Sequence, residues 1–169
     1  MGMIQPGYDR IELKPDSPRG LGGWMILVQL GLYVSIARLV SLIINYVIPA
    51  FQPEIWDVLT TPGSAAYDPL WKPALIFEAA ANIFFLLGAV FLLVLMYRKK
   101  ATFPRWMIFY YAGNLLVLII DYVLMDNIQI LKDMNEPNST QEIARMLVSC
   151  IIWIPYMIRS RRVHNTFIN

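Results

Sequence analysis

The sequence is short of the residues that most metal sites and many catalytic sites need. It holds one cysteine, Cys150, and one histidine, His164. A single thiol cannot form an intramolecular disulfide, and two such residues cannot build the Cys and His cluster that a transition metal prefers. The chain also lacks a phosphate-binding loop, a nucleophile elbow, a zinc-binding helix motif and a dinucleotide fingerprint. We therefore predict no enzymatic activity, no catalytic residue, no cofactor and no metal.

Charged residues are scarce as well. They make up 15% of the 169 residues, whereas 57% are hydrophobic, and the mean hydropathy is +0.51. This balance is not that of a water-soluble domain, and nothing in it supports nucleic-acid binding. A membrane-spanning helix needs about 20 mostly apolar residues, and four such stretches occupy nearly the whole chain. We predict an all-α integral membrane protein, with four transmembrane helices in an antiparallel bundle.

Prolines, glycines and charges mark the ends of the four predicted spans, which are about 24–47, 74–97, 105–124 and 140–159. Gly22-Gly23 precedes the first span and Pro49 closes it, while Arg98-Lys99-Lys100 stops the second. The chain then divides into an N-terminal segment (1–21), a four-span membrane domain (22–159) and a C-terminal tail (160–169). Pro53, followed by an early acid and apolar residues at helical spacing, predicts a short interfacial helix in the first outer loop.

The distribution of basic residues predicts the orientation. Two lie in the first and third loops, Lys72 and Lys132. Ten lie in the N-terminal segment, the second loop and the tail: Arg10, Lys14, Arg19, Arg98, Lys99, Lys100, Arg105, Arg159, Arg161 and Arg162. Cytoplasmic loops carry the excess of Lys and Arg. We therefore predict that both termini are cytoplasmic.

Each predicted span carries a charged residue in its interior (Arg38, Glu78, Asp121 or Arg145), and the second also carries Asn82. An ionised residue near the centre of a spanning helix costs about 2.5 to 3.5 kcal/mol, so it normally has a partner, a cavity or a function. Counting residues from the cytoplasmic boundary places all five at heights of about 21 to 28 Å, in one layer of the outer half of the bilayer. This predicted polar layer comprises Arg38, Glu78, Asn82, Asp121 and Arg145. We expect its two arginines to contact its two carboxylates.

Two interpretations of the polar layer follow. In the first, the layer is a neutral clasp that fixes helix order, and the protein is an accessory or structural subunit acting through helix–helix contacts. Besides the lipid bilayer, its partner would then be another membrane protein or a second copy of this chain. In the second, the layer binds a ligand, and the protein is a small-solute or proton-coupled transporter in which Glu78 takes up the solute or proton. Neutrality of the four charges favours the clasp.

Three groups of residues resemble the YdgK-like family of bacterial inner-membrane proteins, catalogued as a domain of unknown function. They are Gly22-Gly23-Trp24, Phe77-Glu78 with Asn82, and Ile152-Trp153-Ile154-Pro155-Tyr156 followed by Ser160-Arg161-Arg162-Val163-His164-Asn165-Thr166-Phe167. The resemblance extends from about residue 22 to the C-terminus. It implies a four-span protein of the bacterial cytoplasmic membrane and supplies no catalytic or binding residue.

The tail suggests a local structure of its own. Val163 and Phe167 lie four residues apart, beside polar groups, after the fourth span has ended. This spacing places both apolar side chains on one helix face. We predict that the tail folds back on the cytoplasmic mouth of the bundle or docks a partner.

Overall fold

A computed structural model describes residues 20–128 and 138–168, except for the side chains of 138–140, and is mostly helical there, with no β-strand in these ranges. Four helices are long and apolar enough to cross a membrane. We call them the first to fourth spans: Trp24–Ala50, Trp71–Tyr97, Phe103–Asp126 and Gln141–Arg159. The all-helical fold with four spans is confirmed, and these helices support a multi-pass membrane protein.

The first span continues past Pro49, where the sequence predicted its end. It consists of an α-helix (Trp24–Leu42), a π-helical turn (Ile43–Val47) and a last α-helical turn (Ile48–Ala50). Proline has no N–H to donate, and its ring clashes with the carbonyl four residues earlier, here that of Asn45. A wider π turn relieves this crowding without breaking the helix. The span therefore gains a last turn, Ile48–Ala50, before the first loop.

A short helix, Pro53–Thr60, follows the first span as the sequence predicted. Its first turn holds Pro53 and Glu54, a residue without an N–H and an acid, which both suit a helix start. The ring of Trp56 stacks on Phe51, with 5.1 Å between ring centroids. Its position at the membrane interface remains a prediction.

A tight turn joins the second and third spans. Lys99 takes a left-handed conformation, with φ of 51°. The N–H of Lys100 then donates to the Leu95 carbonyl at 3.0 Å, and the N–H of Lys99 donates to the Met96 carbonyl at 3.1 Å. These two bonds are those of a Schellman cap, which satisfies carbonyls that the helix end would leave free. The third span starts within a few residues, so the two helices run antiparallel side by side.

Each span packs against the next one in the chain, whereas the first and fourth share little backbone contact. We call the line between these two the open seam. The main hydrophobic cluster lies at the end of the bundle where the first span begins and the fourth ends, here called the terminal end; the opposite end is the loop end. The cluster consists of Met25, Val28, Leu32, Ala89, Leu92, Met96, Phe103, Met107, Met157, Val163 and Phe167.

The tail closes the terminal end. A short helix, Arg161–Thr166, follows Ser160, whose hydroxyl accepts a hydrogen bond from the Val163 N–H at 3.5 Å. Phe167 stacks on Phe103 with 4.5 Å between ring centroids. The Thr166 hydroxyl accepts from the Gly20 N–H at 2.9 Å. The prediction that the tail folds back onto the bundle is therefore confirmed.

Arg162 of the tail lies over the start of the first span. A Cβ atom added to Gly22 or Gly23 would meet the Arg162 guanidinium at 3.1 Å. Gly23 also has a φ of 61°, a conformation that residues with a Cβ rarely adopt. The Gly22-Gly23 pair thus makes room for Arg162 where the chain enters the bundle.

Candidate functional site

A cavity of about 530 Å³ lies among the four spans. Every span contributes to its wall, and all five residues of the predicted polar layer line it: Arg38, Glu78, Asn82, Asp121 and Arg145. We call it the central cavity. The structure therefore brings together residues that are up to 107 positions apart in the sequence, while their role stays a prediction.

Helical spacing explains why each span presents a polar face to this cavity. Gly31, Ser35 and Arg38 follow one another at intervals of four and three residues in the first span. Glu78 and Asn82 are one turn apart in the second, and both line the cavity. Residues three or four apart share one helix face. The polar side chains consequently gather in the bundle while the other faces stay apolar.

The sequence did not assign Glu142 to the layer, yet it lines the central cavity and carries the ion pair of the site. Arg38 Nη2 donates to Glu142 Oε1 at 2.8 Å. The two side chains are 63% and 42% exposed, so the contact lies at the rim of the cavity. It bridges the first and fourth spans across the open seam.

This ion pair corrects the pairing that we expected. Arg38 contacts Glu142 rather than Asp121 or Glu78, and Arg145 forms no ion pair with any described carboxylate. The fourth helix begins at Asn138, so Glu142 lies inside it, one turn before Arg145. Glu142 also lies within the predicted fourth span, 140–159, although it is not a member of the predicted polar layer. Its spacing of three from Arg145 was the signal that would have placed it on the same face.

The charges of the cavity are arranged with acids inside and bases outside. Glu78 and Asp121 are half-buried, whereas Arg38 and Arg145 are exposed. Asp121 Oδ1 is fully shielded from solvent and has no hydrogen-bond partner among the described residues. A buried acceptor without a partner costs free energy, about 1 to 3 kcal/mol and more for a charged group. Asp121 is therefore kept at some cost to stability.

The lining of the central cavity is not formally neutral, although the predicted polar layer is. Arg38, Arg145, Glu78, Asp121 and Glu142 together line the cavity, and they give three acids against two bases. The expectation of neutrality counted four charges and missed the fifth. Once Arg38 is paired with Glu142, the two inner carboxylates face one arginine. An acidic excess of one formal charge remains.

Aromatic and amide groups complete the wall. The sequence analysis did not assign Tyr110, Tyr111 and Asn114 to the layer, and all three line the cavity. The Asn114 amide donates to the Tyr110 carbonyl at 2.9 Å. The ring of Tyr110 packs edge-on against Phe85, with 5.6 Å between centroids. These groups follow the same face of the third span as Asp121, a signal that the search for charges passed over.

A second, smaller cavity of about 310 Å³ adjoins Glu78 toward the loop end. Leu42 and Glu78 line both cavities. The remaining lining residues of the smaller one are Tyr46, Val47, Ala50, Phe51 and Leu75. The hydrophobic cluster fills the terminal end, and the two cavities lie between this cluster and the loop end, with Glu78 at their junction.

The described residues offer no metal centre. Within 20–128 and 138–168, no group of three or more His, Cys, Asp or Glu side chains lies close enough together to hold a metal ion. Cys150 is buried, and its thiol donates to the Tyr111 carbonyl at 3.6 Å. It is thus a small packing residue behind the cavity wall.

The chain matches the model of one known protein family. The model of a family described as a protein of unknown function (DUF2569) matches residues 18–168. Because this match covers nearly the whole chain, the protein belongs to that family. The family description gives no further name, so the YdgK-like assignment stays a prediction. No curated protein and no solved structure matches the chain.

Proposed function

We propose that this member of the DUF2569 family binds a small polar solute in the central cavity and carries it across the membrane. The observation that supports this most is the cavity itself, about 530 Å³ lined by polar side chains of all four spans. Ligand sites typically measure about 300 to 1,000 Å³ and combine apolar walls with a few polar groups. A polar clasp would need contact between its members, and it would not need that much space.

The proposed orientation determines from which side of the membrane a solute would enter the central cavity. The excess of Lys and Arg in the N-terminal segment, the second loop and the tail supports cytoplasmic termini in a bacterial inner membrane. The terminal end, which the hydrophobic cluster fills, then faces the cytoplasm. The loop end, toward which the smaller cavity lies, faces outward. A solute would enter from the outer side and meet Glu78 where the two cavities join.

Carriage would require the terminal end to open in a second conformation. The closing groups there are Phe103, Phe167 and the surrounding hydrophobic cluster. Transporters bind near the middle of the bilayer and open alternately to each side. The conformation described here corresponds to the outward-open one, and Glu78 is the group that would take up the solute or a coupled proton.

We propose that the protein is not an enzyme. The described side chains that line the central cavity include no cysteine and no histidine. His164, the sole histidine, lies in the tail helix, where its ring nitrogen is 2.9 Å from the Ile158 carbonyl. Two serines line the cavity, Ser35 and Ser149, and neither donates a hydrogen bond to a carboxylate of the described residues. The Ser149 hydroxyl donates to the Arg145 carbonyl at 3.0 Å. No nucleophile paired with a neighbouring base therefore supports covalent catalysis at this cavity.

The open seam favours a second candidate function, that of an accessory or structural subunit. The first and fourth spans share little backbone contact, and Arg38 and Glu142 bridge them with exposed side chains. A helix from another membrane protein or from a second copy of this chain would cover these residues. In that case the cavity would be the unfilled side of an interface.

One experiment separates the two functions. The purified protein in nanodiscs is heated with and without a panel of small cationic, anionic and neutral solutes, and the same solutes are tested for uptake into proteoliposomes. We expect at least one class to raise the unfolding temperature and to enter, and Glu78→Gln to abolish both effects. Glu54→Gln, on the exposed loop helix, is the matched control. Absence of any solute effect, together with a stable complex of two or more chains, would favour the subunit.

A further inference from the structure

We propose that the ligand of the central cavity is a small organic cation with an ammonium group, held by Asp121 and Glu78 against the aromatic wall. This inference rests on the proposed solute-binding function and specifies the substrate class. It is supported by three independent features of the cavity: its uncompensated charge, its rings and its size.

The charge of the inner wall calls for a cation. Arg38 is already engaged by Glu142 at 2.8 Å. Asp121 and Glu78 remain half-buried while Arg145 is exposed at the cavity edge. A charge in a membrane interior needs a partner of opposite sign. A ligand with one positive charge would neutralise the excess acid, whereas an anion would add to it.

Asp121 lines the cavity and carries an acceptor without a partner. Its Oδ1 is shielded from solvent and has no hydrogen-bond partner among the described groups. An ammonium group donates hydrogen bonds and carries charge, so it would satisfy that oxygen in both respects once the carboxylate turns it toward the ligand. A hydroxylated neutral solute would donate the hydrogen bond and leave the charge uncompensated.

Aromatic rings surround the same space. Five of the lining residues are aromatic: Phe77, Phe85, Tyr110, Tyr111 and Trp153. The faces of such rings attract cations within about 6 Å, and rings combined with a carboxylate are a common solution for binding ammonium groups. Phe77 adjoins Glu78 in the sequence, while Tyr110 and Tyr111 lie about 15 Å from Asp121 along the third span. A cation with an organic part that reaches these rings would use both the rings and the carboxylates, whereas a bare ion would not.

The volume argues in the same direction. A space of about 530 Å³ is far more than a proton or a single metal ion would fill, since one water occupies about 30 Å³ of liquid. It fits a solute of about the size of a substituted alkylammonium. The same ammonium chemistry is available from two sources, a free solute or the headgroup of a membrane lipid that enters through the open seam.

The test uses the full-length protein in nanodiscs of phosphatidylglycerol, a lipid without an ammonium group. Choline is the cationic probe, 3,3-dimethylbutan-1-ol is its neutral isostere, and acetate is the anionic probe. We expect choline to bind at least about tenfold more tightly than the isostere, and acetate to show no saturable binding. Asp121→Asn and Glu78→Gln should each weaken choline binding about tenfold or more, and Asp57→Asn, on the exposed loop helix, should not change it.

The outcomes separate the inference from the function on which it rests. Equal binding of choline and its isostere, or preference for acetate, would overturn the ammonium proposal and leave solute binding intact. Binding of none of the probes, nor of any compound from the broader panel, would overturn both. Gel filtration and unfolding without ligand show whether each variant folds, and the Glu78→Gln variant keeps the test valid if Asp121→Asn does not fold.

A second set of nanodiscs distinguishes the source of the ammonium group. Phosphatidylethanolamine replaces half of the phosphatidylglycerol. If the ligand is a lipid headgroup, this lipid should compete with choline in the natural protein and remain bound in native mass spectra, and Asp121→Asn should lose it. If choline binds equally in both lipid mixtures, the ligand is a free solute.

Discussion

Arg38 in the first span donates to Glu142 in the fourth at 2.8 Å, across the open seam, where the described residues of these two spans share little backbone contact. Their contact replaces the packing that joins each of the other neighbouring spans. It also uses one base and one acid of the cavity, so that Asp121 and Glu78 are left to face the interior. The ion pair thereby bridges the open seam, and it leaves Asp121, Glu78 and Arg145 as the charges of the cavity without an ion-pair partner among the described residues.

The Arg38–Glu142 pair should contribute little to stability. Both side chains are more than a third exposed, and such pairs, like polar contacts between membrane helices, are worth about 0 to 1 kcal/mol. We expect a coupling free energy below about 1 kcal/mol in a double-mutant cycle of Arg38→Gln and Glu142→Gln, measured by unfolding in sodium dodecyl sulfate. A coupling of several kcal/mol would instead show that the pair is a clasp that holds the bundle.

Neutralising Asp121 should stabilise the bundle. Its Oδ1 is buried without a partner among the described residues, and an uncompensated buried charge is unfavourable. We expect Asp121→Asn to raise the free energy of unfolding by about 1 to 2 kcal/mol, while solute binding is lost. Asp126→Asn, at the exposed end of the same span, serves as the control and should change it by less than about 0.5 kcal/mol. A clear loss of stability in Asp121→Asn alone would support the clasp.

The tail should be a strong contributor to stability. Phe167 is 5% exposed and stacks on Phe103, whereas the next residue, Ile168, is 71% exposed. We expect Phe167→Ala to lower the free energy of unfolding by about 3 kcal/mol, the usual cost of emptying a buried aromatic site. Ile168→Ala should have almost no effect in the same detergent titration. Similar losses for both variants would mean that the tail does not pack as described.

Two glycines, one just before the first span and one inside it, should respond in opposite ways to alanine. Gly23 has a φ of 61°, and a Cβ added there would meet the Arg162 guanidinium at 3.1 Å, while a Cβ at Gly31 would meet nothing within 4 Å. We expect Gly23→Ala to destabilise the protein by about 1 kcal/mol or more, and Gly31→Ala to be neutral or stabilising by up to about 1 kcal/mol. Thermal unfolding of the two variants side by side tests this difference. Equal effects would contradict the contact between Arg162 and the start of the span.

The proposed orientation can be tested with single cysteines. Cys150→Ser removes the native thiol and keeps a donor for the Tyr111 carbonyl. In that background, we expect a membrane-impermeant thiol reagent to label Ala65→Cys in cells with a permeable outer membrane. Ala101→Cys, in the turn between the second and third spans, should react after the inner membrane is opened. The reverse pattern would place both termini outside.

The spans could be predicted from the sequence because length and hydropathy alone determine which segments enter a membrane. Helical spacing likewise brought Arg38, Glu78, Asn82, Asp121 and Arg145 to one level. The pairing could not be predicted, since it depends on which spans adjoin and how far each helix extends. Glu142 shows the difficulty: it lies inside the predicted fourth span, but only the arrangement of the helices shows that it lines the cavity wall and contacts Arg38.

The extension of the first span past Pro49 was missed for a related reason. Proline normally ends a helix, and only the π turn of Ile43–Val47 allows this one to continue. Pro49 does crowd the carbonyl of Asn45, as the rule for proline in helices states, but the chain relieves this crowding by a π turn and not by ending the helix. That added turn supplies Ala50 to the smaller cavity beside Glu78.

The closure of the terminal end by Thr166 and Gly20 has a consequence for the order of assembly. These two residues are 146 positions apart, and at about 5 to 20 residues per second their synthesis is separated by roughly 7 to 30 seconds. During that interval the four spans are made one after another, and the terminal end of the bundle is not yet closed by the tail. The terminal end of a newly made chain therefore stays open until the tail is synthesised, and it closes when Phe167 packs on Phe103.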